Sequence, residues 1–295
     1  MVQEATSPQG TDVHFDAATP TSGRPPYTVE CSPGSGSMFA IGDTTVRCAG
    51  IDADKAQGSC EFKVTVRVSR TLSKTKFTAF GDSIAEGKVS LVPVISLALP
   101  DAFPGKLEGI LSQRYVGQTI VVSNQGISGE RLDQGAARLP ALLDAEKPEV
   151  VLILEGVNAV WIRSTSAQAE NLRSMVTAAR DRHVDVILAT VMPVTIAWEN
   201  DRHPGSMSRI RALNRRIFDL AAEFQLPVVD LFSVFEANMH LIGQDGLHPT
   251  VEGQTRIAEA FADEIARRYG MEMTMTSGGL AEPAPAYAGK ISTSR

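Results

Sequence analysis

The sequence lacks any apolar run long enough to cross a bilayer and any marked excess of one charge. The longest apolar stretch, Val89 to Pro100, is short and carries two prolines, whereas a membrane-spanning helix needs about 20 apolar residues. A net charge of −6 over 295 residues gives no support to a nucleic-acid footprint, which requires a basic surface. We therefore expect a globular protein with neither a membrane span nor a nucleic-acid partner, long enough for two domains.

Cysteine is scarce, and all of it lies in the first quarter of the chain, at Cys31, Cys48 and Cys60. This clustering favours a disulfide over a metal site, because the usual spacing of Cys and His ligands is missing. One thiol must remain unpaired, and the spacing alone does not choose the pair. We expect no metal and no organic cofactor.

An apolar segment with strand character, Lys76 to Phe80, ends at Gly81-Asp82-Ser83. Glycine permits a tight turn, and a helix that begins there offers free N–H groups to a developing negative charge. Ser83 is therefore a candidate nucleophile. The alternative is an ordinary turn, in which Gly-Asp-Ser also occurs.

A candidate base and acid follow near the other end of the chain, at His248 and Asp245. A serine hydroxyl needs a base that removes its proton, and a carboxylate fixes the tautomer of that base. Asp245 could bind one ring nitrogen of His248 while the other nitrogen faces Ser83. The alternatives are an ordinary turn carboxylate and a capping or surface histidine, and both would have to hold together.

Two further segments place glycines and an asparagine after strands, at Asn124 to Gly129 and at Gly156-Val157-Asn158. The Gly129 backbone N–H and the Asn158 side-chain amide are suitable donors for an oxyanion hole. The alternatives are a simple turn glycine and a helix-capping or turn asparagine.

Taken in this order, the four segments resemble the SGNH (GDSL) hydrolase family over roughly Thr75 to Tyr269. The resemblance implies a flavodoxin-like three-layer α/β/α domain in which Ser83 is the nucleophile. It assigns Asp245 and His248 as acid and base, with oxyanion donors at Ser83, Gly129 and Asn158. One departure is visible, because the family usually has Asp where this chain has Ala159.

The pattern from residue 76 to residue 270 alternates apolar strands with amphipathic helices, which is typical of a parallel sheet covered on both faces. The predicted strands are Lys76–Asp82, Thr119–Ser123, Glu149–Glu155, Val184–Val191 and Pro227–Asp230. The predicted helices are Gly105–Arg114, Gln134–Ala145, Ala167–Arg182, Ser206–Phe224 and Val251–Tyr269. The candidate residues all follow strands or precede helices, where open α/β sheets bind ligands.

The first part, residues 6–69, alternates like half-buried strands separated by turns, which indicates a small β-sandwich. Its sequence pattern from Cys31 to Cys48, followed by Ser59 to Val66, resembles a HYR module. Such modules are immunoglobulin-like and associated with extracellular adhesion. Residues 70–75 are expected to form a linker. We expect a secreted or periplasmic protein whose signal peptide is missing from this sequence, since Met1 to Glu4 has neither a basic nor an apolar segment.

Four residues are candidate walls of a substrate pocket. The apolar loop after Ser83 could cover an acyl pocket through Leu91 and Leu97, or it could simply pack in the core. Trp161 and Trp198 fall on the crevice side, although tryptophan is more often packing than recognition. Residues 271–295 lack periodicity and are expected to be disordered. The remaining histidines have no acid at triad spacing and are expected to be surface or structural residues: His14, His183, His203 and His240.

Together these features predict a serine esterase that hydrolyses short-chain or aryl esters through an acyl-enzyme. Two alternatives remain open. The same residues would serve a carbohydrate deacetylase acting on a glycan ester. The chain could instead be an extracellular adhesion protein whose hydrolase domain is inactive.

Overall fold

The computed structural model divides the chain into two compact units, Met1–Thr71 with Gly270–Arg295, and Leu72–Tyr269. Each unit has its own apolar core. The residues that the structure describes are 1–7, 9–16, 18–68, 70–90, 94–272, 275–276, 279–280 and 284–285.

The strands between Val2 and Arg67 of the first unit form two small β-sheets, as the alternating sequence predicts. These strands are β1 (Val2–Glu4), β2 (Thr11–Val13), β3 (Thr28–Ser32), β4 (Ser37–Phe39), β5 (Gly42–Ile51) and β6 (Gln57–Arg67). One sheet has the strand order β1–β6–β5–β3, and the other pairs β2 with β4. Strand β1 lies upstream of the predicted start at residue 6 and pairs in parallel with β6. Alternate residues of β5 and β6, such as Val46, Val64 and Val66, are buried in this core.

The disulfide joins Cys31 and Cys48, and Cys60 is free and exposed. Cys48 lies opposite Cys31 on one side and opposite Cys60 on the other, because β5 stands between β3 and β6. The disulfide therefore ties the edge strand β3 to its neighbour β5.

The second unit contains a five-stranded parallel sheet flanked by helices, which confirms the predicted fold class. Its strands are β8 (Lys76–Gly81), β11 (Val121–Gly126), β12 (Val150–Leu154), β13 (Asp185–Ala189) and β14 (Val228–Val229). Their order in the sheet is β11–β8–β12–β13–β14. Every residue of β12 is buried, as expected for a strand covered on both faces. The helices are α1 (Ser83–Glu86), α2 (Phe103–Arg114), α3 (Leu132–Glu146), α4 (Thr165–Arg180), α5 (Ile196–Arg202), α6 (Ser206–Phe224), α7 (Leu231–Glu236) and α8 (Val251–Tyr269).

Several predicted boundaries need correction, although the predicted bounds of α6 and α8 agree with the structure. Strand β11 runs to Gly126 rather than ending at Ser123, because it pairs with β8 as far as Gly126 opposite Gly81. The loop after Ser83 contains a short hairpin of β9 (Lys88–Val89) and β10 (Ile95–Ser96). The short helices α1, α5 and α7 were not predicted, since they are too short to show a helical period.

Short strands lie within the predicted linker and within the described part of the predicted tail. Residues Arg70–Leu72 form a short strand, β7, within the predicted linker. The described part of the tail contains the strands β15 (Gly270–Glu272), β16 (Met275–Thr276), β17 (Gly279–Leu280) and β18 (Ala284–Pro285). The rest of the prediction for 271–295 lies outside the described residues. No helix in the described ranges is both long and apolar enough to span a membrane.

Candidate active site

The candidate nucleophile lies just after the carboxyl end of the inner strand β8, between β11 and β12. An added Cβ on Gly81 would lie 1.9 Å from the carbonyl oxygen of Leu154, so the neighbouring strand requires glycine there. Asp82 caps helix α1 through a 3.0 Å hydrogen bond from the Ile84 N–H. Ser83 is the first residue of this helix, and its backbone N–H therefore has no acceptor within the helix.

Ser83, His248 and Asp245 are brought together across more than half the chain. The distance from His248 Nε2 to Ser83 Oγ is 3.0 Å, and that from His248 Nδ1 to Asp245 Oδ2 is 2.5 Å. An ionised Asp245 favours the tautomer that carries its proton on Nδ1, which leaves Nε2 free to accept the serine proton.

The environment of Asp245 keeps its carboxylate ionised. Burial raises the pKa of Asp245, but hydrogen bonds from the His248 ring and from the backbone N–H groups of Leu247 and His248 outweigh this effect. The pKa therefore lies below its usual value. Asp245 therefore meets the His248 ring as a carboxylate.

Ser90, which the sequence analysis does not single out, stabilises the turn that contains Asp245 and His248. The Ser90 hydroxyl accepts a 2.8 Å hydrogen bond from the Asp245 N–H, and the Ser90 N–H donates to the Pro249 carbonyl at 3.1 Å. Ser90 is buried. An isolated serine within an apolar loop carries no sequence signal for this contact.

The two predicted oxyanion donors follow the strands on either side of β8. In the sheet register, Gly126 of β11 and Leu154 of β12 are both partners of Gly81. Gly129 has φ of +78°, and an added Cβ would meet no atom within 4 Å. The Asn158 Nδ2 donates to the Glu130 carbonyl at 3.0 Å, and the second hydrogen of this amide is available to another acceptor. The structure thus links the Gly129 turn to Asn158. Ala159, the departure from the family pattern, is buried.

Two carboxyl groups next to the candidate site residues are buried. Asp82 directly precedes Ser83, and Glu155 directly follows β12. Asp82 accepts hydrogen bonds from the N–H groups of Ile84 and Gly156, but burial dominates and raises the pKa of Asp82 to about 6. Burial, followed by the negative charge of Asp82, raises the pKa of Glu155 to about 9. Neither carboxyl oxygen of Glu155 has a hydrogen-bond partner among the described residues. Glu155 is therefore a neutral acid at pH 7.

Two of the four candidate pocket residues, Trp161 and Trp198, lie together in one aromatic group. Trp198 contacts the turn that contains Asp245 and His248. A Cβ added to Gly246 in this turn would lie 2.6 Å from the Trp198 Cβ. Trp161 lies 5.6 Å from Trp198 between ring centroids, and His203 stacks on Trp161 at 4.0 Å. A cavity of about 390 Å³ beside this group is lined by Thr195, Ala197, Trp198, Asp201, Gln244 and Asp245.

The apolar loop after Ser83 is only partly described. The Leu97 N–H donates to the Gly87 carbonyl at 3.0 Å, so Leu97 lies at the end of helix α1. Leu91 lies outside the described residues, and the prediction for it stays untested. His203, expected to be surface or structural, is half-buried within the aromatic group.

Comparison with known proteins identifies both parts of the chain. The family described as GDSL-like lipase/acylhydrolase matches residues 79–256, and the HYR domain matches residues 7–66. The chain belongs to the GDSL-like lipase/acylhydrolase family. Membership confirms the predicted class of enzyme, a carboxylic ester hydrolase with an N-terminal HYR module.

Curated relatives and a solved structure agree with this assignment. An arylesterase from Vibrio mimicus is 29% identical over 198 residues, covering 65% of this chain and 88% of the relative. An acetylxylan esterase from Geobacillus stearothermophilus is 26% identical over 184 residues, covering 57% of this chain and 82% of the relative. The crystal structure of a lipase/acylhydrolase from Enterococcus faecalis superposes with a TM-score of 0.58 at 25% identity, covering 66% of this chain and 97% of that chain.

Proposed function

We propose that the chain hydrolyses carboxylic esters through an acyl-enzyme formed on Ser83. This proposal rests on the hydrogen-bonded triad of Ser83, His248 and Asp245. The distance from His248 Nε2 to Ser83 Oγ is 3.0 Å, and that from His248 Nδ1 to Asp245 Oδ2 is 2.5 Å. Ser83 Oγ attacks the ester carbonyl while His248 Nε2 takes its proton. His248 then gives this proton to the leaving alcohol, and Asp245 stabilises the charged imidazole. Water activated by His248 releases the acid.

The negative charge of the tetrahedral intermediate requires donors that are already in place. The Ser83 and Gly129 backbone N–H groups and the Asn158 amide supply them in this proposal. Their parent loops leave three adjacent strands at one level of the sheet, which supports a common target for the three donors. Donors fixed before the reaction cost no reorganisation during it.

We assign short-chain or aryl esters as the substrates most consistent with the relatives and with the aromatic group formed by Trp161, Trp198 and His203. A carbohydrate ester is the second candidate. The cavity beside Trp198 carries Thr195, Asp201 and Gln244, and hydrogen-bonding side chains next to an aromatic face suit a hydroxyl-rich ring.

The HYR module supports a secreted or periplasmic location, because its Cys31–Cys48 disulfide persists in oxidising compartments. We propose that residues 6–69 act as a spacer or stabiliser for the catalytic domain at 76–270, with 70–75 between them.

Hydrolysis of p-nitrophenyl acetate, butyrate and octanoate by wild type, Ser83→Ala and Ser208→Ala tests the proposal. Ser208 is an exposed serine on α6 and should retain full turnover, whereas Ser83→Ala should lose nearly all of it. If folded wild type hydrolyses none of these esters, the simple-esterase proposal is wrong and acetylated xylooligosaccharides become the next substrates. Absence of turnover on these sugars as well would favour the adhesion protein with an inactive hydrolase domain.

A further inference from the structure

One guanidinium group contacts the strand that leads to the nucleophile, the neighbouring strand β11 and the loop that follows β11. Arg138 lies on helix α3 and is partly exposed, and it forms a forked ion pair with Glu130 at 2.8 Å and 2.6 Å. The same guanidinium donates to the Gln125 carbonyl at 2.9 Å, and it lies 4.1 Å from the centre of the Phe80 ring. Arg138 thereby touches β8, β11 and the loop that follows β11.

The Glu130 side of this pair ends the turn that carries Gly129. The Glu130 N–H donates to the Ile127 carbonyl at 3.1 Å, and the Ile127 N–H donates to the Gly81 carbonyl at 2.9 Å. A φ of +78° at Gly129 is the value that glycine adopts at the third position of a type II turn. The direction of the Gly129 N–H therefore depends on both ends of the turn, and Arg138 holds one of them.

The same residue also fixes the second donor. The Glu130 carbonyl accepts the 3.0 Å hydrogen bond from the Asn158 amide. A displacement of Glu130 would therefore move Gly129 directly and release Asn158. A shift of about 1 Å in a catalytic group can cost about a hundredfold in rate.

The ion pair is partly shielded from water, and its carboxylate is buried. The Glu130 side chain is 6% exposed and the Arg138 side chain 24% exposed. A forked pair between guanidinium and carboxylate adds directional restraint to its charge attraction.

We propose that Arg138, through Glu130, is a positioning residue that sets the Gly129 and Asn158 oxyanion donors without touching the substrate. This inference rests on the proposed esterase function. In this inference, an arginine outside the Ser83–His248–Asp245 triad aligns two oxyanion donors that come from separate loops.

The test compares kcat, KM and melting temperature for p-nitrophenyl acetate in four variants. Arg138→Met should lower kcat about a hundredfold, as loss of an oxyanion donor does, while KM changes less than about threefold. Arg138→Lys keeps the charge but not the fork and should give an intermediate kcat. Arg182→Met is the matched control, because Arg182 forms a similar fork with Asp144 at 2.7 Å and 2.9 Å on the surface. Its kcat should equal that of wild type.

The double variant Glu130→Met/Arg138→Met separates positioning from stability. Replacing both partners of a shielded ion pair by apolar side chains often restores stability, so the melting temperature should recover while kcat stays low. A kcat that recovers together with the melting temperature would overturn the inference, as would an Arg138→Met chain with wild-type kcat. If Arg138→Met does not fold, Arg138→Lys and the double variant decide by the same criteria.

A Ser83→Ala variant measured in the same assay distinguishes failure of the Arg138 positioning role from failure of the proposed esterase function. Turnover that depends on Ser83 but not on Arg138 contradicts this inference and leaves the proposed function intact. Turnover that survives in Ser83→Ala contradicts the proposed function, and the inference fails with it.

Discussion

Replacing Glu155 with glutamine should remove a pH dependence from the stability of the catalytic unit. The pKa of Glu155 is about 9 in the folded chain and 4.5 in the unfolded chain. Between these values the folded chain holds a proton that the unfolded chain has released, so stability falls as pH rises. The fall is about 1.4 kcal/mol per pH unit. From pH 7 to pH 8.5 wild type should therefore lose roughly 2 kcal/mol more than Glu155→Gln.

This pH range avoids the other buried acid, because the pKa of Asp82 is about 6 and its titration is nearly complete by pH 7. Urea unfolding followed by tryptophan fluorescence is the assay. The chain has two tryptophans, and both lie in the same unit as Glu155. Glu252→Gln, at an exposed glutamate, should keep the wild-type slope. Equal slopes for wild type and Glu155→Gln would refute the buried neutral acid.

Three further outcomes follow from other contacts. Asp245→Asn should lower kcat by about three to four orders of magnitude at unchanged melting temperature, because the His248 tautomer would be wrong; steady-state kinetics on p-nitrophenyl acetate checks this. Gly126→Ala should destabilise the catalytic unit in urea unfolding, because its Cβ would lie 1.9 Å from a backbone nitrogen of α1. Cys31→Ser should lower the stability of the N-terminal unit by roughly 3 kcal/mol, the value expected for a loop of this length, whereas Cys60→Ser should not; calorimetry distinguishes them.

The sequence predicted both folds and the edge of the parallel sheet at which the site lies, because these features depend on local sequence patterns. Alternating strands indicated the sandwich, and buried strands between helices indicated the parallel sheet. Ser83, Asp245 and His248 all follow strand ends or precede a helix. The carboxyl ends of parallel strands share one edge of a sheet, which is why residues 165 positions apart can come within 3.0 Å.

The supporting contacts could not be predicted because they depend on distant residues. Glu155 directly follows an apolar strand and looks like an ordinary strand-end acid, yet Gly135 on α3 leaves the space that buries it. The disulfide depends on strand register, since Cys48 lies opposite both Cys31 and Cys60. Spacing along the chain does not distinguish these two neighbours.

Covalent labelling with a p-nitrophenyl alkylphosphonate would show directly whether Ser83 is the nucleophile. This reagent traps an activated serine as a tetrahedral adduct, so intact mass and peptide mapping would locate the nucleophile. We expect one adduct per chain, on Ser83, formed in proportion to the loss of ester turnover and absent in Ser83→Ala. Full turnover in a completely labelled chain, or inactivation with Ser83 unlabelled, would contradict it.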